Sequence, residues 1–288
     1  MGSGPGQQSN GGPTPDRARR RLSRTLTRDR FRDYEGLLRA ALSHDYRAVS
    51  LEDFLFDPAA RVGERILILR HDVDQHPASA LVAARIERRL DLRSTWYMRW
   101  RTADPSVIEA LRAEGGSVGF HYETLTRRVL NGGFDRRAGL DALLEDARRE
   151  LRTEIATFGE LFGPLRSVCA HGDTRVPWAS NLWLLEGEDV ADYGVREDAN
   201  LGMRRHALGA WLTDRSGADG CWSDGLDPLD LLRRGVSPIQ CLTHPNNWIS
   251  GVALWRDRLL AASLQVPSPG ARTRVTRTRS DRSPASAG

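Results

Sequence analysis

The sequence predicts an α/β fold built on a parallel sheet or barrel. Two observations carry this expectation. Short strand-like runs alternate with helical patterns from about residue 65 to residue 243, and five of the seven histidines fall just past strand-like runs. Alternation places crossover helices between strands, which makes the strands parallel. In such folds reactive side chains gather at the C-terminal ends of the strands, where the loops converge on one face.

The elements follow in order. Gly, Pro, Ser and Gln dominate positions 1–15, and Pro, Ser, Thr and Arg the last twenty or so. Disordered basic tails are therefore expected over 1–30 and 265–288. The folded body is expected over 31–264, with 31–60 as a helical lead-in. That lead-in comprises a helix, FRDYEGLLRAALSH, a short extended piece, and a brief helix, SLEDFLF, with Ser50 as N-cap. RILILR (65–70) reads as a strand, and PASALVAARIERRL (77–90) as a helix with proline in its first turn. STWYMRW (94–100) is a strand, PSVIEALRAEG (105–115) a helix ended by glycine, and SVGF (117–120) the next strand. A long helix over about 136–160 precedes the strand SVCA (167–170), and weaker strands follow near 209–213 and 237–243.

Composition narrows the function classes. Hydrophobic residues make up 40% and charged residues 28%, as in ordinary globular proteins. No apolar run approaches the roughly 18 residues that a membrane span needs. The first thirty residues lack the apolar stretch and cleavage site of a secretory signal, so a cytoplasmic protein is expected. Cys169, Cys221 and Cys241 show no paired metal spacing and read as small core residues. The net charge of +4 conceals charges of +5 on residues 1–33 and +4 on residues 266–288, which leave −5 between them. Every basic residue apart from histidine is arginine, a compositional bias rather than a pattern of phosphate contacts, and no nucleic-acid partner is expected.

The histidines carry the functional signal. RILILR runs into His71, Asp72, Val73, Asp74, Gln75 and His76, SVGF into His121, Tyr122 and Glu123, SVCA into His171, Gly172 and Asp173, and PIQCLT into His244 and Pro245. In an extended segment residues i and i+2 point the same way, so Asp72 and Asp74 present two carboxylates to one side. Two such groups repel unless a cation lies between them or one is protonated. The arrangement suits a divided task, one carboxylate holding metal and the other working as general base. The His121 imidazole suits Zn²⁺, Fe²⁺, Co²⁺ or Ni²⁺, and beside one carboxylate it makes a mixed nitrogen and oxygen site with open positions. For a third ligand His171 comes first, with Glu123 and His76 behind it.

The run ILRHDVD, then STWYMRW, GFHYE, AHGD and LTHP, in this order, resembles the polysaccharide deacetylase family, metal-dependent carbohydrate esterases with a NodB-like domain. The resemblance is to the branch opening with Arg-His-Asp-Val-Asp, and it covers about residues 30–250. It implies an irregular (β/α) barrel of about seven parallel strands. It also implies Asp72 as general base, Asp74 and His121 as metal ligands, and His244 as general acid. The sequence departs from the family pattern in two places. Leu125 stands where a second metal histidine belongs, and AHGDTRVPW stands where an Arg-x-Pro-Tyr motif belongs.

The expected reaction is metal-dependent hydrolysis of an acyl group, acetyl first, from the nitrogen of an amino sugar or sugar-containing metabolite. Zn²⁺ is the first choice of metal. A small N-acylated sugar fits the expected location better than a wall polymer. Trp222 and Trp248 are candidate stacking platforms for a sugar ring. Asp214 and Glu123 are further candidates for substrate contact. The alternatives are hydrolysis of a non-sugar amide on the same fold, or a catalytically silent barrel that binds a glycan or partner protein. The oligomeric state is left open by the sequence.

Overall fold

A computed structural model describes residues 29–132, 139–214, 222, 225–250 and 252. The tails expected at the two ends lie almost wholly outside these residues, as do Cys221 and positions 253–264. Asp29 and Arg30, placed in the tail by the sequence, belong to the folded body. The Arg30 amide donates to the Trp248 carbonyl at 2.6 Å, and the Ser250 amide donates to Asp29 Oδ1 at 2.5 Å.

The chain begins with α1 (Phe31–Ser43), β1 (Arg47–Ser50) and α2 (Leu51–Phe56). Then come β2 (Ile66–Val73), α3 (Ala78–Arg89), β3 (Thr95–Met98), α4 (Pro105–Ala113), β4 (Ser117–Tyr122), α5 (Thr124–Leu130) and α6 (Gly139–Phe162). The second half holds β5 (Ser167–Ala170), β6 (Glu197–Asp198), α7 (Ala199–Arg204), β7 (Ala210–Thr213), α8 (Pro228–Arg233) and β8 (Ile239–Thr243). The strands run in the order β6-β5-β4-β3-β2-β8-β7, and every pairing is parallel. The result is a curled half-barrel, open among the described residues between β6 and β7. β1 pairs with Ile66–Leu69 and β3 with Arg70–Val73, so the two share one edge of β2 in tandem.

The strand period of two sorts side chains between two cores. On β2, Leu67, Leu69 and Val73 join the large core under the helices, while Ile66 and Ile68 join a smaller core inside the curl with Tyr97 and Cys169. Arg70 and Asp72 therefore share the inner face with Ile66 and Ile68, whereas His71 looks outward. This corrects the strand boundary. β2 continues through Val73 and β4 through Tyr122, so His71, Asp72 and His121 lie within strands rather than past them. Outside the sheet His71 stacks on Trp96 with ring centroids 3.9 Å apart, its Nε2 lies 2.6 Å from Glu87 Oε1, and its Nδ1 lies 2.5 Å from Thr243 Oγ1. It is thus a core residue that ties α3 to β2 and β8.

Helices cover the outer face with apolar stripes. α1 buries Phe31, Tyr34, Leu37, Leu38 and Ala41, and α6 buries Leu143, Ala147, Leu151, Ile155 and Phe158, both at the three- and four-residue spacing of one helix face. Each large side chain so buried contributes on the order of 1.5–3 kcal/mol. Ser50 caps α2 by accepting the Asp53 amide at 3.0 Å, as expected. Among the described residues no helix is long and apolar enough to cross a membrane.

Candidate metal centre

Four strands deliver the polar cluster. β2 and the loop after it supply Asp72 and Asp74, β4 supplies His121, the loop after β5 supplies His171, and the loop after β8 supplies His244. β4 can approach its neighbours because Gly119 has no side chain. A Cβ there would lie 2.5 Å from the Tyr97 ring and 2.7 Å from the Ser167 carbonyl oxygen. His171 is pinned through its backbone, its amide donating to the Tyr122 carbonyl at 2.9 Å and its carbonyl accepting Asn181 Nδ2 at 2.7 Å.

Asp74 sits at the centre. Its Oδ1 lies 3.5 Å from His121 Nε2, 3.5 Å from His171 Nε2 and 3.7 Å from Arg99 Nη1, and its Oδ2 lies 3.9 Å from His244 Nε2. Asp72 Oδ2 lies 3.5 Å from the same His121 nitrogen. The two carboxylates thus converge on His121, as the alternation of an extended segment predicts. Asp72 is held from behind by Arg70, whose Nε and Nη2 donate to its two oxygens at 2.9 and 2.7 Å. Both side chains are buried. Burial alone would raise the Asp72 pKa, but the Arg70 guanidinium, with help from His121, keeps it below the ordinary carboxylate value.

The donor set fits a divalent cation, and two observations show it. His121 Nδ1 lies 3.0 Å from the Cys169 carbonyl oxygen, so it carries the proton and Nε2 presents a lone pair. Burial, opposed by Asp72 and Asp74, depresses the His121 pKa to about 4, so the ring is neutral. A neutral nitrogen lone pair then faces two carboxylate oxygens with no proton between them, an arrangement that a cation relieves. In addition, Asp74 Oδ1 is buried and has no hydrogen-bond partner, although burial makes such an atom costly. Asp74, His121 and His171 offer ligand atoms within 4.8 Å of one another. An outer carbonyl that fixes the tautomer of a ligating histidine is the usual support for such a ligand.

Asp72, His121 and Cys169 form an overlapping group. Its thiol is the weaker donor, because burial pushes the Cys169 pKa well above its usual value and Arg70 Nη2 already lies 2.6 Å from the sulfur.

His244 stands across Asp74 and is set by Asp214. The Asp214 carboxylate accepts the His244 amide at 3.1 and 3.0 Å, lies 2.6 Å from His244 Nδ1, and accepts the Trp248 indole N–H at 2.7 Å. Burial would lower the His244 pKa, but the hydrogen bond and charge of Asp214, with Asp72 and Asp74 behind it, raise it to about 9. Nδ1 faces Asp214 and Nε2 faces Asp74, so the imidazolium offers its Nε2 proton to the metal side.

Several residues expected to serve the site lie elsewhere or are already occupied. Glu123 is ion-paired with Arg99 and does not line the cavity beside Asp74. His76 takes a left-handed backbone conformation (φ 51°), and its carbonyl accepts the Ser79 amide at the start of α3; it belongs to neither ligand group. Asp214 is committed to His244 and Trp248 rather than free for a sugar hydroxyl. Trp248 is 4% exposed, and with Trp222 it lines a separate cavity of about 710 Å³ beside α1 that no histidine lines. Neither residue lines the cavity beside Asp74. Leu125, at the position of the family's second histidine, is fully buried in α5 within the outer core. The chain turns into that helix at Thr124, and His171 takes the remaining place by the carboxylates.

Three contributors were missed by sequence reasoning. Arg70 stands two residues before Asp72 on the same face of β2, and Arg99, in the loop after β3, is buried beside Asp74 and Glu123; neither is singled out in the sequence. Cys169 was read only as a core residue; its carbonyl orients His121.

No protein-family model matches this chain, and no curated protein matches it. Among solved structures it is similar to an aspartate-to-serine mutant of peptidoglycan deacetylase PdaC from Bacillus subtilis. The identity is 12% and the TM-score 0.28, over 71% of this chain and 100% of that one. A likeness at that TM-score carries no argument about fold or activity.

Proposed function

We propose that the chain is a metal-dependent hydrolase that removes an acyl group, acetyl first, from the nitrogen of an amino sugar or sugar-containing metabolite. One observation carries the reading. A buried carboxylate oxygen without a hydrogen-bond partner, on Asp74, lies between two imidazole nitrogens, and a third imidazole held by its own aspartate stands across it. The ordered motifs that resemble the polysaccharide deacetylases point to the same chemistry.

Amides resist hydrolysis because water is a poor nucleophile near pH 7 and an amine leaves badly. Asp74, His121 and His171 would hold a divalent ion, Zn²⁺ in the first instance. When bound, such an ion sharpens the acidity of water and withdraws electrons from an acyl carbonyl. Asp72 is the proton acceptor for the attacking water. Its bidentate pair with Arg70 keeps it ionised and fixes its orientation, so both proton uptake and geometry are prepared in advance. His244 supplies the proton to the departing nitrogen through Nε2, and Asp214 keeps that proton in place at neutral pH. Water adds to the acyl carbon, the C–N bond breaks, and the products are a carboxylic acid and a free amine.

The test is acetate release from N-acetylated amino sugars by protein stripped with chelator and reloaded with one divalent metal at a time. Release that depends on reloading is expected. Release that survives chelation, or none from any N-acyl sugar with metal bound, removes the proposal.

A further inference from the structure

The cavity beside Asp74 has a volume of about 560 Å³, within the range of small-molecule sites. It also carries more positive charge than the hydrolytic chemistry uses. Asp74, His171 and His244 lie on its lining together with Arg99, Arg101 and Arg175. Of the three carboxylates on the same lining, Asp173 and Asp214 are held by their own partners and Asp74 belongs to the metal group. Asp74 faces His121 and His171, Asp214 holds His244, and Asp173 accepts Arg175 Nε at 2.9 Å and Nη2 at 2.6 Å.

Arg101 is different. It is exposed, lines the cavity, and has no carboxylate partner among the described residues. Arg99 leaves the same loop after β3. It is 5% exposed, it contacts Glu123 and His171, and its buried Nε–H has no hydrogen-bond partner. That Nε–H is closed off from solvent, but the Arg99 side chain lies on the cavity lining close to Arg101, so the two cations share one wall of it. The planar donor fork of arginine matches phosphate and carboxylate oxygens.

Resting on the hydrolase reading of this site, we propose that the substrate carries an anionic group, a phosphate or a carboxylate, beside its N-acyl group, and that Arg101 binds it together with Arg99. The anionic group takes no part in bond breaking. It fixes the sugar so that the acyl carbon lies by Asp72 and Asp74, and it separates charged from neutral N-acyl sugars. A charge-assisted hydrogen bond to arginine favours the anionic ligand by about 10- to 100-fold.

The experiment compares metal-loaded wild type with Arg101→Gln on N-acetylglucosamine, N-acetylglucosamine 1-phosphate and N-acetylmuramic acid. Inorganic phosphate binding to both proteins is measured by calorimetry. Wild type is expected to favour one anionic sugar over the neutral one by at least about tenfold in kcat/KM, and Arg101→Gln to lose most of that ratio. The phosphate and muramic acid arms show which anion is meant. Phosphate binding should weaken by about tenfold in the variant. Equal use of neutral and anionic sugars by wild type, or a ratio unmoved by the substitution, overturns the anionic substrate while leaving the hydrolase standing. If no sugar releases acetate, the hydrolase reading fails, and phosphate binding alone then decides whether Arg101 is an anion site. Unchanged binding in Arg101→Gln ends that too.

Discussion

Replacing Asp214 by asparagine tests how His244 keeps its proton. Asp214 accepts from the His244 backbone amide and lies 2.6 Å from Nδ1, and the histidine pKa stands at about 9 against an ordinary 6.5. Asparagine retains an acceptor oxygen but removes the charge, so the pKa should fall toward 6.5. At pH 8 the protonated fraction of His244 would drop from about nine-tenths to about 3%, a loss of roughly 30-fold in the acid form. The assay is kcat/KM for acetate release against pH. In wild type the alkaline limb should fall near pH 9, and in Asp214→Asn it should move down by about two and a half pH units. The same linkage acts on stability. A pKa raised on folding stabilises fully below pH 6.5, and that stabilisation is lost as the pH rises through 9. The gap is worth about 3 kcal/mol, since the side chain is 21% exposed and only weakly screened. An alkaline limb that stays in place in Asp214→Asn refutes the assignment of His244 as the acid.

Other substitutions separate proton transfer from architecture. Asp72→Asn with metal still bound should slow turnover by on the order of 10² to 10⁴ fold in single-turnover assays, and an undiminished rate would rule it out as the base. Arg70→Met leaves Asp72 buried and unpaired, a loss of about 3–5 kcal/mol or about 6 to 20 °C in Tm by calorimetry. The double variant Arg70→Met with Asp72→Asn should regain part of that loss, because no charge is then left without a partner. Trp248→Phe removes the N–H that Asp214 accepts, and a modest destabilisation of about 1–3 kcal/mol is expected in urea unfolding.

Much of the fold was legible because its signals are local and periodic. RILILR and SVCA are short runs buried on both faces, the stripes of α1 and of the long helix over 139–162 repeat at helical spacing, and the structure keeps all four within a few residues. Among the short elements α2 was legible through its Ser50 cap, but three others were not. α5 holds seven residues, β6 two and α8 six, too few for a period to show, and they form because neighbouring strands and helices bury them. The boundary of β2 was missed for a related reason. His71 and Asp72 are poor strand residues by composition, yet each finds a partner, Glu87 outside and Arg70 inside, and that pairing extends the strand.

At the site, the convergence of Asp72, Asp74 and His121 followed from the alternation of an extended chain, which is a property of sequence position alone. The tryptophans show the opposite case. Whether an aromatic ring faces a cavity or a core depends on what packs behind it. Trp248 is closed off by Tyr34, 5.4 Å away between ring centroids, and by the Arg30 guanidinium at 5.0 Å, both from the start of the chain. Arg99 follows the same rule, since its partners Glu123 and His171 come from other parts of the sheet, whereas Arg70 meets Asp72 two residues along its own strand.

The most direct test is metal content joined to location: elemental analysis of the purified chain, and anomalous scattering from crystals grown with Zn²⁺. Expected is one ion per chain between Asp74, His121 and His171. Asp74→Asn should weaken it by more than the roughly 10- to 100-fold that loss of an outer partner costs. A protein that takes up no ion at saturating Zn²⁺, or that binds it away from Asp74 Oδ1, would contradict the centre on which the proposed chemistry stands.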